Sequence, residues 1–194
     1  MNRRHFLQTT AALGALTALG PSLARAATPP RAFKKGFMFS TLRVDRDNPL
    51  SVLDRFKLLK AAGFHGVEVN TPMNRDEVLA ARDATGLEIP SLVVATHWTH
   101  PLSHPNPATR QVTLDALLQG LRDAKALGAK SILLVPGVVN KDVSYAEAYE
   151  RSTAEIRKAI PLAEELGVAI AIENVWNQFL LSPLEAAAYV DRFN

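Results

Sequence analysis

Cysteine is absent from all 194 residues. That absence excludes a disulfide framework, a thiolate metal site and a cysteine nucleophile, and it leaves the redox compartment open. Charge of one sign is also missing from most of the chain. The formal net charge is +3, but residues 1–26 hold Arg3, Arg4 and Arg25 with no Asp or Glu. With those three set aside, basic and acidic residues are equal in number, so a broad phosphate-binding surface for nucleic acid is not expected. Charged residues make up 21%, near the soluble average, which argues against both disorder and a membrane bundle. No Gly-x-Gly-x-x-Gly follows the first strand, and there is no Gly-Lys-Ser/Thr phosphate loop, Gly-x-Ser-x-Gly elbow or His-Glu-x-x-His helix.

What is present begins with a leader. Arg3-Arg4 precede Phe6-Leu7 and an uncharged stretch to Ala24 rich in Ala, Leu, Thr and Gly. Ala24-Arg25-Ala26 then offers the small side chains a signal peptidase accommodates. The pattern resembles a twin-arginine export signal, and residues 1–26 are expected to be removed. An uncleaved anchor helix is the weaker reading, because Gln8, Gly14, Gly20 and Pro21 interrupt the apolar stretch. The expected location is periplasmic or otherwise exported, with membrane contact only during export.

From residue 27 onward one pattern recurs: amphipathic helix, glycine, short apolar strand. Asn48-Pro49 predicts a first helix with Leu50, Leu53, Phe56, Leu59 and Ala62 as its stripe and Gly63 as its stop. Further helices are predicted from Asn74 to Thr85, after Asn106-Pro107, after the Ser144/Glu147 capping box and after Ser182-Pro183. Pro161 is expected to bend the fourth. Strands are predicted at 37–39, 67–69, 92–95, 132–135 and 168–172. These runs lack polar alternation and read as parallel strands covered on both faces. The glycine stops at 63, 86, 128 and 167 are unevenly spaced, which fits βα units rather than a solenoid. Five βα units suit either an open doubly wound sheet or about five of the eight units of a (β/α)8 TIM barrel. The chain stops at Asn194 inside what reads as an unfinished helix, and that favours the barrel. Residues 27–194 are read as one incomplete barrel domain.

In either architecture the chemistry gathers at the carboxyl ends of the strands. Glu173 ends five apolar residues, Val168 to Ile172, and a carboxylate there needs a cation, a donor or a metal. Pairing with a loop Arg or Lys is the structural alternative. The following Asn174, Trp176 and Asn177 offer amides and an indole suited to a polyol. Otherwise this loop merely plugs the barrel top. His97, His100 and His104 share one loop with Trp98, but Pro101 and Pro105 forbid the regular helix that would align three ligands. His97 is nearest the strand end and is the best substrate-facing candidate. Alternation turns Glu68 away from Val67 and Val69, and a lumen-facing carboxylate would be functional.

The segment Ile172-Glu173-Asn174-Val175-Trp176-Asn177, followed by Phe179 to Glu185, resembles the xylose-isomerase-like barrels, a superfamily of sugar isomerases and epimerases that also includes apurinic endonucleases. Leu133 to Val139 and His97-Trp98 with Pro101-Leu102-Ser103 add to the resemblance. It implies an α/β fold of the (β/α)8 type and a divalent metal, Mn²⁺ or Mg²⁺. It also gives Glu173 two roles, metal ligand and proton-exchanging base. The family's remaining ligands, an Asp and a His, and its second acid/base Glu would lie beyond Asn194. The expected activity is sugar isomerisation or epimerisation through an enediolate on a ketose, and export favours an unphosphorylated one. Substrate contacts are expected from Glu68, His97, Trp98, Asn174, Trp176 and Asn177. The alternative is a non-catalytic exported sugar-binding barrel. Abasic-site cleavage is disfavoured by export and neutral charge. Five βα units standing alone would leave open strand edges, so a homo-oligomer is a further expectation.

Overall fold

The computed structural model describes residues 33–44 and 49–193. The predicted leader and the Asn48 cap lie outside these residues. Five strands form one parallel sheet in the order β1 (Gly36–Met38), β2 (Gly66–Thr71), β3 (Ser91–Val94), β4 (Ser131–Leu134) and β5 (Ala169–Ile172). Each strand lies beside its predecessor. A doubly wound sheet reverses its strand order at a switch point, whereas this sheet never does. The continuous order is that of a partial (β/α)8 barrel.

Four helices return the chain between strands, α1 (Val52–Ala61), α2 (Arg75–Thr85), α3 (Pro107–Leu127) and α4 (Tyr145–Leu166), and α5 (Pro183–Val190) follows β5. Their starts follow local capping chemistry. Asn74 accepts from Asp76 and Glu77 N–H, Asn106 accepts from Ala108 N–H, and Ser144 with Glu147 forms a complete capping box. The first helix departs from expectation. It begins at Val52, and Ser51 is the cap because its hydroxyl accepts the Asp54 N–H at 3.1 Å. Helix α4 continues through Pro161 to Leu166. The last helix closes at Val190 and tightens into a 3-10 turn over Asp191–Phe193. Gly86, Gly128 and Gly167 end helices in the left-handed conformation, with φ of 63°, 83° and 65°.

Strand alternation divides the sheet into two faces. Val67, Val69, Leu92, Val94, Ile132 and Leu134 point outward and are fully buried in the main core with Phe56, Leu117, Leu121 and Ile156 from the helices. Gly120 lets α3 lie close to the sheet, since a Cβ there would meet Ile132 Cδ1 at 2.5 Å. One expectation fails at β5. Ala169 and Ala171 are exposed and Ile170 and Ile172 only partly buried, because β4 is the only strand paired with β5 among the described residues. It is an edge strand and is not covered on both faces.

Candidate active site at the strand carboxyl ends

The inner face carries the polar groups. Met38 pairs in register with Glu68, and Ser91, one step before the Val69–Leu92 pair, donates its hydroxyl to the Glu68 carboxylate. Glu68 therefore faces the barrel interior. One turn higher, a cavity of about 560 Å³ opens at the strand ends. Its apolar walls are Met38, Val93, Leu133, Val135 and Val175, with Ala95 beside them. Its polar groups are Ser40, Asn70, His97, Trp98 and Glu173.

Glu173 reaches this position because its backbone N–H continues the ladder to Leu134 O at 3.0 Å, while its side chain has the interior parity of Ala171. Burial raises its carboxyl above the usual range, and the negative charge of Glu68 adds to the rise. No cation or hydrogen-bond donor among the described residues offsets these two effects.

His97 sits in a 3-10 turn, Ala95–Trp98, that follows β3 directly. The ring is 5% exposed, and burial pushes its pKa down to about 4. It is therefore neutral near pH 7. Val135 N–H donates to Nδ1 across a long 3.5 Å, so the neutral ring carries its proton on Nε2. Trp98 stacks edge-on against it at 5.6 Å, half exposed at the cavity's rim. His100 and His104 turn instead to local partners, the Thr99 hydroxyl and the Asn106 N–H.

The loop after β5 corrects two expectations. Asn177 is 1% exposed, and its amide donates to Gly137 O at 2.8 Å and accepts the Val175 N–H at 3.3 Å. It binds backbone and not substrate, because its polar atoms are already committed. Trp176 is 99% exposed and does not line the cavity; Val175 does. Asn174 is exposed and donates to Leu180 O at 3.3 Å. Nor does Phe179 plug the barrel top: it packs outside the sheet against Tyr145, Tyr149 and Tyr189. Gln178 and Leu180 adopt φ of 56° and 57°, which redirects the side chains on either side.

These contacts join three loops into one rim. Ser103 Oγ donates to Val138 O and accepts the Val138 N–H, both at 2.9 Å. Val139 N–H reaches Asn177 O at 2.9 Å. The sequence does not mark Ser91 and Ser103 as site residues, since neither stands at the carboxyl end of a strand and their partners appear only once the register is known. Met38 and Val175, which line the cavity, carry no polar group to mark them.

Residues 56–194 match the model of the xylose isomerase-like TIM barrel family, and the chain belongs to that family. Residues 1–20 match the twin-arginine translocation signal, so the chain is exported by that pathway. Among curated proteins it is 26% identical over 159 residues to an L-ribulose-5-phosphate 3-epimerase of Escherichia coli O1:K1, covering 73% of this chain and 55% of that one. The chain thus spans about half the length of the curated relatives it matches. Its fold resembles that of a D-psicose 3-epimerase crystallised in the presence of D-fructose, with TM-score 0.66 and 19% identity over 84% of this chain and 60% of the other. It also resembles the IOLI protein with a bound zinc atom, with TM-score 0.61 and 18% identity over 84% and 59%. At these identities the structural likeness concerns the fold alone.

Proposed function

We propose that the protein is an exported, divalent-metal-dependent sugar isomerase or epimerase working through an enediolate. The observation that carries this reading is Glu173, a partly buried carboxylate at the carboxyl end of β5 that nothing among the described residues compensates. Such a group is costly unless a ligand supplies positive charge or a proton. The sugar-epimerase relative supports the substrate class.

The donor chemistry fits a hard divalent ion, because the polar groups here are oxygens with one imidazole and no thiolate. Among the described residues no group of three or more such ligands gathers, so Glu173 would furnish one ligand. Mn²⁺ or Mg²⁺ held there would supply the charge that stabilises the enediolate oxygens.

The chain's own residues do the rest. Glu173 takes the proton from the carbon beside the ketose carbonyl; the electron pair of that C–H bond becomes the C=C bond of the enediolate, and the carbonyl π pair moves to its oxygen. Its raised pKa makes Glu173 a stronger base toward that proton than an ordinary carboxylate. His97 offers a neutral N–H to a substrate oxygen, and Trp98 an apolar face to the C–H side of the sugar. Glu68 holds a hydroxyl partner deeper in the interior. Asn174 and Trp176 stand outside the cavity. Inverting a carbon needs a second acid or base on the opposite face, whereas exchange of the proton with water needs Glu173 alone.

The test is incubation of the exported form with ketoses and Mn²⁺ in D₂O. Deuterium should enter at the carbon beside the carbonyl, and Glu173→Gln should abolish this. Saturable sugar binding without metal, indifferent to Glu173→Gln, would instead identify a non-catalytic binding protein.

A further inference from the structure

We infer that Ser103 and Asn177 are positioning residues for the site. They grip the β4–α4 loop from opposite sides, hold Val135 against the His97 ring and so fix which way that imidazole faces. The inference rests on the proposed function in giving His97 a substrate oxygen to meet.

Residues 135–139 leave β4 without entering a helix or a strand, so regular secondary structure does not set their course. Two side chains do. From the β3–α3 loop, Ser103 holds Val138 twice, donating to its carbonyl and accepting its N–H, both at 2.9 Å. From the β5–α5 loop, the Asn177 amide donates to Gly137 O at 2.8 Å, and Asn177 O accepts the Val139 N–H at 2.9 Å. Three consecutive loop residues thus carry four hydrogen bonds to two residues distant in the chain. Both side chains are shut away from water, Ser103 at 0% and Asn177 at 1% exposure. A buried hydroxyl or amide is costly without its partners, and this path of the loop supplies them. Any other path would leave them unpaired. Gly137 permits the close approach, since a Cβ there would meet Ser103 Cβ at 3.2 Å.

The gripping residues are themselves tied down. Ser103 O accepts from Arg151 at 3.3 Å, and the next two carbonyls, of His104 and Pro105, accept from Arg110 at 2.8 and 3.0 Å. Asn177 Oδ1 accepts the Val175 N–H at 3.3 Å, so one side chain orders both the β4–α4 loop and a second residue of the cavity wall.

What the grip positions is Val135. It lines the cavity, and its N–H faces His97 Nδ1 across 3.5 Å. A contact that long is too weak to hold either the loop or the ring. The loop is held two and three residues further on, at Gly137 and Val138, and Val135 keeps its place through them. An imidazole released from Val135 could turn and present either nitrogen to the cavity.

The experiment is NMR on the ¹⁵N-labelled full chain without metal or sugar. In the unmodified protein residues 135–139 should be rigid, with backbone order parameters of about 0.85. His97 should show a sharp Nε2–H resonance, assigned by its loss in His97→Asn. In Ser103→Ala, and separately in Asn177→Ala, the loop should fall below about 0.6 while the sheet stays near 0.85. The Nε2–H resonance should broaden or vanish in both. Folded variants that melt earlier but keep the loop order and the His97 resonance make the two residues merely structural and overturn the inference, leaving the proposed function standing. A loop already below about 0.6 in the unmodified chain overturns it without any substitution. Failure of the unmodified chain to exchange ketose protons overturns the proposed function and leaves the grip on the loop as it is.

Discussion

The two faces of the sheet treat buried charge in opposite ways. On the outer side, Glu155 is almost inaccessible yet lies 2.9 Å from Arg110, and Lys158 donates to it as well. Burial alone would raise its pKa, but these two cations outweigh it and hold the carboxyl below its ordinary range. On the inner side, Glu173 has only burial and a second carboxylate acting on it, and both push it up. The outer charge is part of the packing between α3 and α4. The inner one makes no such contribution, and a site that tolerates an uncompensated carboxylate is one where function outweighs stability.

The largest effect should come from breaking the outer face. Ile132→Ala removes a fully buried side chain packed against α3 and should cost about 2–5 kcal/mol, read from the denaturant midpoint. Next, Glu155→Ala leaves Arg110 without its partner and should cost roughly 3 kcal/mol. A gain in stability from that variant would erase the contrast between the two faces. On the inner side the sharper probe is pH. Unfolded His97 takes a proton near 6.5, whereas the folded ring resists until about 4. Stability should therefore fall as pH drops from 6.5 to 4, by roughly 3 kcal/mol at most from this group, with no further loss from it below 4. His97→Asn should flatten that part of the Tm-against-pH curve. The smallest effect belongs to Trp176→Ala, within about 0.5 kcal/mol, because the indole is in water.

The same division governs what could be read from the sequence. Outer-face strands announce themselves as Val, Ile and Leu runs, and helix starts as Asn74, Asn106, Ser144 with Glu147, and Ser182, since each signal is local. The first helix starts later than Asn48-Pro49 suggests, because Ser51 is also a competent start and its hydroxyl accepts the Asp54 N–H. Glu68, His97, Trp98 and Glu173 could be located because strand parity and strand ends fix where they lie. Asn177 and Trp176 could not. Their directions depend on left-handed backbone at Gln178 and Leu180, and neither residue is a glycine that would signal it. Asn177 also looks like a sugar-binding amide until its partner, Gly137 O forty residues earlier in the chain, is known.

Thermal unfolding of Glu173→Gln beside the unmodified chain, each with and without Mn²⁺, bears most directly on the uncompensated carboxylate. Without metal the variant should melt at the same temperature or higher, since it loses a partly buried charge and no partner. With Mn²⁺ at a hundredfold excess over its Kd, the unmodified chain should gain about 2.7 kcal/mol and the variant far less. A variant that melts lower without metal, and responds to Mn²⁺ as the unmodified chain does, would make Glu173 a structural residue and contradict the account.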